Sequence, residues 1–142
     1  MAMSRRDHLV ETALDLFYRH GFHATGIDRI LAESGVAKMT LYKHFSSKDD
    51  LILAVLRLRD ERFREWFQRM VESRARSPRK RLLAVFDVLE EWFSAEGFQG
   101  DMFTNAAAEY GDPAHPIRMA AAEHKAAMRR YLQSLARAAG TR

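Results

Sequence analysis

Apolar residues recur at helical spacing along nearly the whole chain, and no useful length alternates apolar and polar residues as a half-buried strand would. A Ser or Thr followed three residues later by an acid marks a helix start, and this pattern occurs at Ser4, Thr25 and Ser47. Pro78 and Pro116 suit the first turns of two later helices, because proline has no backbone N–H to leave unpaired. The pattern therefore predicts an all-α fold with helices near residues 5–20, 26–33, 38–45, 48–73, 78–96, 102–110 and 115–138.

Residues 27–45 predict two short amphipathic helices joined at Gly35, which can take the positive φ of a tight turn. Leu41 and Phe45 continue the apolar stripe into the second helix, whose start is weakly capped because Ala37 stands where a hydroxyl would help by about 1 kcal/mol. This is the layout of a helix-turn-helix motif. On residue types alone, DNA reading and an ordinary helical hairpin with a solvated face are equally good interpretations. The face left over carries Lys38, Thr40, Tyr42, Lys43 and His44.

The same stretch carries a specific combination of residues: a Gly-Val turn, a Thr-Leu-Tyr triplet, Phe45, and Lys48 followed by acidic residues and Leu51. With these residues, the stretches ALDLFYRHGFHATGIDRI and GVAKMTLYKHFSSKDDLI resemble the TetR family of bacterial transcriptional regulators. The resemblance implies an N-terminal three-helix DNA-binding head with a helix-turn-helix, linked by a long helix to an α-helical bundle body. The implied domains are residues 1–47 for the head and residues 48–142 for a partial effector-binding body.

The resemblance implies that the head binds a double-stranded DNA operator, and residue chemistry divides its side chains into two roles. Lysine suits the acceptors of guanine, and methionine offers apolar contact to a thymine methyl group. Contacts to the DNA backbone are expected from Arg5, Arg6, Thr25, Tyr42 and Lys48. Contacts to base edges are expected from Lys38, Met39, Thr40, Lys43 and His44.

The second half of the chain predicts a helical body. Residues 78–96 are apolar around so much of the circumference that we expect this helix to be buried on several sides. The resemblance implies a cavity here for a small apolar or aromatic effector. Aromatic residues at helical spacing are more often plain core than the wall of a ligand site. The polar candidates are equally explained as internally hydrogen-bonded groups. The effector-site candidates are Phe67, Met70, Phe86, Trp92, Phe93, Phe103, Asn105, Glu109, Tyr110, Met119, His124 and Met128.

The chain has 142 residues. Because it has no cysteine, disulfides and Cys-ligated zinc are excluded. Its net charge of +4 suits a polyanionic partner. The charge is uneven, because residues 1–56 hold seven Lys or Arg against seven Asp or Glu, and residues 57–81 hold ten against four. DNA affinity would therefore depend on where individual cations of the head point. With no long uncharged apolar run and no signal-peptide core in MAMSRRDH, we expect a cytoplasmic protein without a membrane partner.

Two chemical interpretations of the body are weaker. A metal site would need Glu109, Asp112, His115 and His124 to converge, and their spacing matches no compact ligand signature. A catalytic site would need a serine beside His124, a pairing that any chain with six histidines offers. We therefore expect no catalytic residue, no metal and no cofactor, and we do not expect an enzyme.

Members of the family typically continue into two more helices that form the interface of a homodimer. We expect these C-terminal dimerisation helices to be absent from a chain that ends at Arg142, and the native protein to be a homodimer on a palindromic operator where they are present. The expected function is that of a ligand-responsive repressor, released from its operator by the effector. The alternative is a small-molecule-binding or protein-interaction module with a vestigial head, since a lone head contacts too little DNA for operator-level affinity.

Overall fold

The computed structural model describes residues 3–140, and the regular structure in that range is entirely helical. The prediction of an all-α fold is confirmed, and each helix begins and ends within two residues of its predicted bounds. The helices are α1 (Arg5–His20), α2 (Ile27–Ser34), α3 (Lys38–His44), α4 (Lys48–Arg74), α5 (Pro78–Ser94), α6 (Met102–Glu109) and α7 (Pro116–Ala138).

Local capping explains most of the helix starts. Ser4 and Ser47 cap α1 and α4 as predicted, each accepting a backbone N–H from the third residue on at 3.1 Å. The cap predicted at Thr25 is wrong: Gly26 occupies the N-cap position of α2, and the buried Thr25 hydroxyl donates instead to the Leu16 carbonyl at 3.4 Å. Packing between α1 and the turn before α2 therefore overrides the local capping signal. No side chain of the described residues caps the start of α3 at Ala37, which agrees with the predicted weak cap.

Two buried clusters organise the chain. The first, which we call the head core, joins α1, α2 and α3 to the first half of α4, to α6 and to the start of α7. It therefore crosses the predicted boundary between residues 1–47 and 48–142, a division that stays a prediction. The second, the body core, joins the second half of α4 to α5 and to the end of α7.

The α5 helix is less buried than its composition predicts. Its buried side chains are Ala84, Val85 and Val88, which pack in the body core. Leu83 and Phe86, by contrast, are 63% and 70% exposed. The prediction of burial on several sides is wrong for the described residues, because only α4 and α7 make extensive contacts with α5.

Polar contacts attach α6 and the loop before it to the head. Glu109, at the end of α6, accepts the backbone N–H groups of Phe22 and His23 at 2.8 and 2.7 Å. The Tyr18 hydroxyl of α1 donates to the Gly100 carbonyl at 2.8 Å, in the loop between α5 and α6. The head is thus held by side chains from distant parts of the sequence. Among the described residues, no helix has the length and apolar character needed to cross a membrane.

Candidate nucleic-acid interface

The turn between α2 and α3 is built by Gly35. Its φ of +70° lies in the left-handed region that favours glycine, and its N–H donates to the Leu31 carbonyl at 2.9 Å to end α2. His8 of α1 donates from Nε2 to the Ser34 carbonyl at 2.9 Å, so the end of α2 is also attached to α1. These contacts fix where the chain leaves α2 and hence the direction of α3.

The α3 helix buries one face and exposes the rest. Leu41 is fully buried and Phe45, at the C-cap, is 4% exposed, so both anchor α3 on the head core as predicted. Thr40 is half-buried. Among residues 3–140, neither Lys38 nor Lys43 pairs with a carboxylate, so both cations are available to a ligand. The exposed face brings together Lys38, Met39, Tyr42, Lys43 and His44.

The residues outside α3 that are predicted to contact the DNA backbone differ in accessibility. Arg5 and Arg6 are exposed in the first turn of α1, and the Arg6 guanidinium lies 5.1 Å from the centre of the Phe45 ring at the end of α3. The Lys48 ammonium is half-buried and lies 6.0 Å from the centre of the Phe17 ring. Burial lowers the pKa of Lys48, and the negative charges of Glu109 and Asp49 oppose that shift.

Thr25 is the one predicted DNA contact that the structure removes. Its side chain is fully buried, and its hydroxyl faces the Leu16 carbonyl in the interior of the head. A phosphate outside the protein cannot reach this hydroxyl. The remaining predicted DNA contacts have side chains at the surface or half-buried beneath it.

The effector candidates do not form one site. Phe67, Met70, Trp92 and Met128 belong to the body core, whereas Phe103 and Tyr110 belong to the head core. Phe86 and Phe93 are 70% and 54% exposed, and no helix among residues 3–140 covers them. The interior position expected for Phe86 and Phe93 is therefore corrected.

Two polar candidates have hydrogen-bond partners within the protein. The Asn105 side-chain amide donates to the Gln99 carbonyl at 3.0 Å, and Glu109 is occupied by the backbone of the head. For Asn105 and Glu109, the described contacts match the alternative that each is internally satisfied.

His124 and Asp60 form a buried pair that links α7 to α4. His124 is 4% exposed, stacks on Phe103 with ring centres 3.6 Å apart, and donates from Nδ1 to Asp60 Oδ1 at 2.7 Å. Burial lowers the pKa of His124, and the hydrogen bond to Asp60 opposes that shift only in part. Burial also acts to raise the pKa of Asp60, but hydrogen bonds from Arg64 and His124 prevail and lower it. The ring is therefore neutral near neutral pH.

An open groove of about 680 Å³ lies between α4 and α7, above this pair. Phe103, Met119 and His124 are the predicted effector residues that it brings together, and Met119 is half-exposed at its edge. The prediction missed the charged residues of the groove. Only the spacing of Asp60 and Arg64, four apart on a helix, could have indicated them. These residues are Arg57, Asp60, Arg64, Glu123 and Arg130.

The residues considered for a metal site have separate partners. His115 accepts the Ile117 N–H at 3.1 Å and so caps α7, while His124 pairs with Asp60 and Glu109 with the head. Within the described residues, no group of three or more His, Asp or Glu side chains is arranged to hold a metal ion.

A helix-turn-helix with an exposed, cation-bearing second helix defines a class of DNA-binding proteins. The family of bacterial regulatory proteins named tetR matches this chain over residues 9–55. A solved tetR transcriptional regulator from Streptomyces avermitilis is 32% identical, with a TM-score of 0.79 over 95% of this chain and 73% of that one. A TetR-family transcriptional regulator from Streptomyces coelicolor is 41% identical, with a TM-score of 0.80 over 85% of this chain and 64% of that one.

The chain belongs to the TetR family. Among curated proteins, the HTH-type transcriptional activator FasR of Mycolicibacterium smegmatis is 50% identical over 52 residues. These residues are 37% of this chain and 24% of that protein's length. The chain thus spans about a quarter of the curated relative and about two thirds of the Streptomyces coelicolor chain.

Proposed function

We propose that this chain is the DNA-reading part of a ligand-responsive transcriptional regulator, most simply a repressor released from its operator by a small effector. The observation that carries the proposal is the exposed face of α3, where Lys38 and Lys43 have no acidic partner among residues 3–140. Unpaired cations beside an exposed tyrosine and methionine suit phosphates and base edges. Such a protein acts where its DNA is, in the cytoplasm of a bacterium.

The side chains divide into two groups by reach. Arg5, Arg6, Tyr42 and Lys48 are assigned to the DNA backbone, where they set the register of the head. On α3, the base-edge role falls to Lys38, Met39, Thr40, Lys43 and His44, since the second helix of this motif enters the major groove. Thr25 has no place in this assignment.

Pairing of two heads completes the proposal. One head contacts few phosphates and bases, whereas two heads on half-sites about one helical turn apart reach operator-level affinity. We therefore infer a homodimer of the whole protein on a palindromic operator. A relative named as a transcriptional activator is 50% identical over 52 residues, so we infer that the head itself does not fix whether the regulator represses or activates.

The test is a titration of the chain against DNA from upstream of its own gene and against scrambled DNA of equal length, at two salt concentrations. We expect a preference of about a hundredfold for the upstream DNA, about 2.7 kcal/mol. Lys43→Ala should reduce this preference, and Arg129→Ala, which removes an exposed cation from α7, should leave it unchanged. Equal and steeply salt-dependent binding to both DNAs would refute sequence reading and favour an interaction module.

A further inference from the structure

A second, smaller cleft lies on the other side of α4 from the α4–α7 groove. It has a volume of about 260 Å³ and is lined by Arg59, Arg62, Phe63, Trp66 and Trp92, so we call it the arginine–tryptophan cleft. The Phe63 ring centre is 4.8 Å from that of Trp92 and 5.8 Å from that of Trp66. Three aromatic side chains and two guanidinium groups therefore meet at one small opening between α4 and α5.

Arg59 is the unusual member of this cleft. Its side chain is half-buried, yet it makes no hydrogen bond and no ion pair within the described residues. Its guanidinium carbon lies 5.3 Å from the centre of the Tyr18 ring and 5.7 Å from that of Phe63. Burial lowers the pKa of Arg59, although a guanidinium stays charged in proteins. The side chains nearest to this partly desolvated cation are rings, and the charge of Asp101 acts on it without an ion pair or a hydrogen bond. Within the described residues, its N–H groups therefore lack a hydrogen-bonded anion.

The residues that line the cleft indicate which charge and shape a ligand would have. A cationic ligand would be repelled by Arg59 and Arg62, and a neutral ligand would leave Arg59 unpaired. The guanidinium fork matches a carboxylate, and the tryptophan rings favour a flat aromatic body in offset or edge contact. Ligand pockets usually measure about 300–1,000 Å³, so a cleft of about 260 Å³ suits a single ring.

We propose that the arginine–tryptophan cleft binds a small aromatic carboxylate, with the carboxylate on Arg59 and the ring against Trp66 and Trp92. The proposal of a binding site depends only on the residues that line the cleft. As the effector site of a regulator it rests on the function proposed above.

Both arginines of the cleft also hold α1, the first helix of the head. Arg59 contacts the Tyr18 ring, and Arg62 forms a two-point ion pair with Glu11, with Arg62 Nη1 at 2.9 Å from Glu11 Oε2. Tyr18 in turn is fixed by the Gln99 N–H at 2.8 Å. A bound carboxylate competes with Tyr18 and Glu11 for these guanidinium groups. Occupation of the cleft therefore loosens the contact between α4 and α1.

The direct test uses benzoate as the probe and benzamide as its uncharged counterpart. The chain has two tryptophans and both line the cleft, so intrinsic fluorescence reports on this site, with calorimetry as a second readout. We expect saturable binding of benzoate and at least about tenfold weaker binding of benzamide. Equal binding of the two probes, or no saturable binding of benzoate, would overturn the proposal.

Variants of α4 distinguish the effect of the Arg59 guanidinium on benzoate binding from the effect of the overall positive charge of the helix. Arg59→Gln should weaken benzoate binding at least about tenfold. Arg69→Gln removes an exposed arginine that pairs with Glu65 at 3.7 Å, and it should leave benzoate binding unchanged. If Arg59→Gln does not fold by circular dichroism, Arg59→Lys keeps the charge without the fork and should bind benzoate with intermediate affinity. Wild-type affinity in a folded Arg59 variant would contradict the assignment.

Amide hydrogen exchange tests the coupling without any DNA. Saturation with benzoate should speed the exchange of α1 amides in the wild type and should not do so in Arg59→Gln. Unchanged α1 exchange at saturation would refute the coupling to the head. A chain that binds benzoate but shows no sequence preference on DNA would keep the site and refute the regulatory function, so the two failures are distinguishable.

Discussion

Replacing Glu109 with glutamine tests how firmly α6 holds the head. In the wild type, one carboxylate accepts two adjacent backbone N–H groups, those of Phe22 at 2.8 Å and His23 at 2.7 Å. The chain presents both groups together because Gly21, with a φ of +95°, turns it sharply after α1. Glutamine keeps one acceptor oxygen but puts an NH2 group, which cannot accept, opposite the other N–H.

The expected loss follows from the burial of the two bonds. A hydrogen bond to a charged group contributes about 1.5–3 kcal/mol, and an unpaired buried donor costs about 1–3 kcal/mol. The Phe22 bond is partly buried, and the His23 bond is exposed and more strongly screened by water. We therefore expect Glu109→Gln to lower the free energy of unfolding by about 2 kcal/mol.

Urea unfolding followed by circular dichroism measures this change, with Glu96→Gln as the matched control. Glu96 is exposed in the loop after α5, so its replacement should change the free energy of unfolding by less than about 0.5 kcal/mol. A Glu109→Gln loss no larger than that of the control would refute the view that this carboxylate attaches α6 to the head.

Three other predictions follow from the same structure. Because burial lowers the pKa of His124 in the folded protein, the neutral ring should contribute its full stabilisation above the ordinary histidine pKa of about 6.5. The free energy of unfolding should then fall as the pH drops through the lower pKa of the folded state. The urea midpoints at about pH 7.5 and 5.5 should therefore differ less in His124→Gln than in the wild type. Tyr42→Phe should weaken binding to all DNA sequences, whereas Lys43→Ala should also relax base preference, and equal losses on cognate and scrambled DNA for both variants in anisotropy titrations would contradict the two roles. Ser47→Ala should lower the free energy of unfolding by about 1 kcal/mol in a urea titration, through loss of the cap on α4, and Ser73→Ala, at an exposed position late in the same helix, should cost less.

The sequence by itself predicted the features that depend on neighbours within a few residues. Helical spacing of apolar residues set the bounds of the helices, and the caps at Ser4 and Ser47 are hydrogen bonds between residues three apart. The Gly35 turn and the burial of Leu41 followed in the same way, because a glycine at a positive φ and a 3.6-residue stripe are local properties. The exposed face of α3 could therefore be predicted from the sequence without knowledge of any tertiary contact.

Only the tertiary structure decided the features that depend on distant partners. Thr25 has a capping pattern, yet packing against α1 turns its hydroxyl inward. Glu109 meets the head across 87 residues of sequence, and His124 meets Asp60 across 64. The unpaired state of Arg59 depends likewise on which rings α1 and α4 bring to it. The spacing of residues along the chain does not predict these long-range contacts, because they depend on how whole helices pack against one another. The same contacts determine which polar groups remain free to bind a ligand.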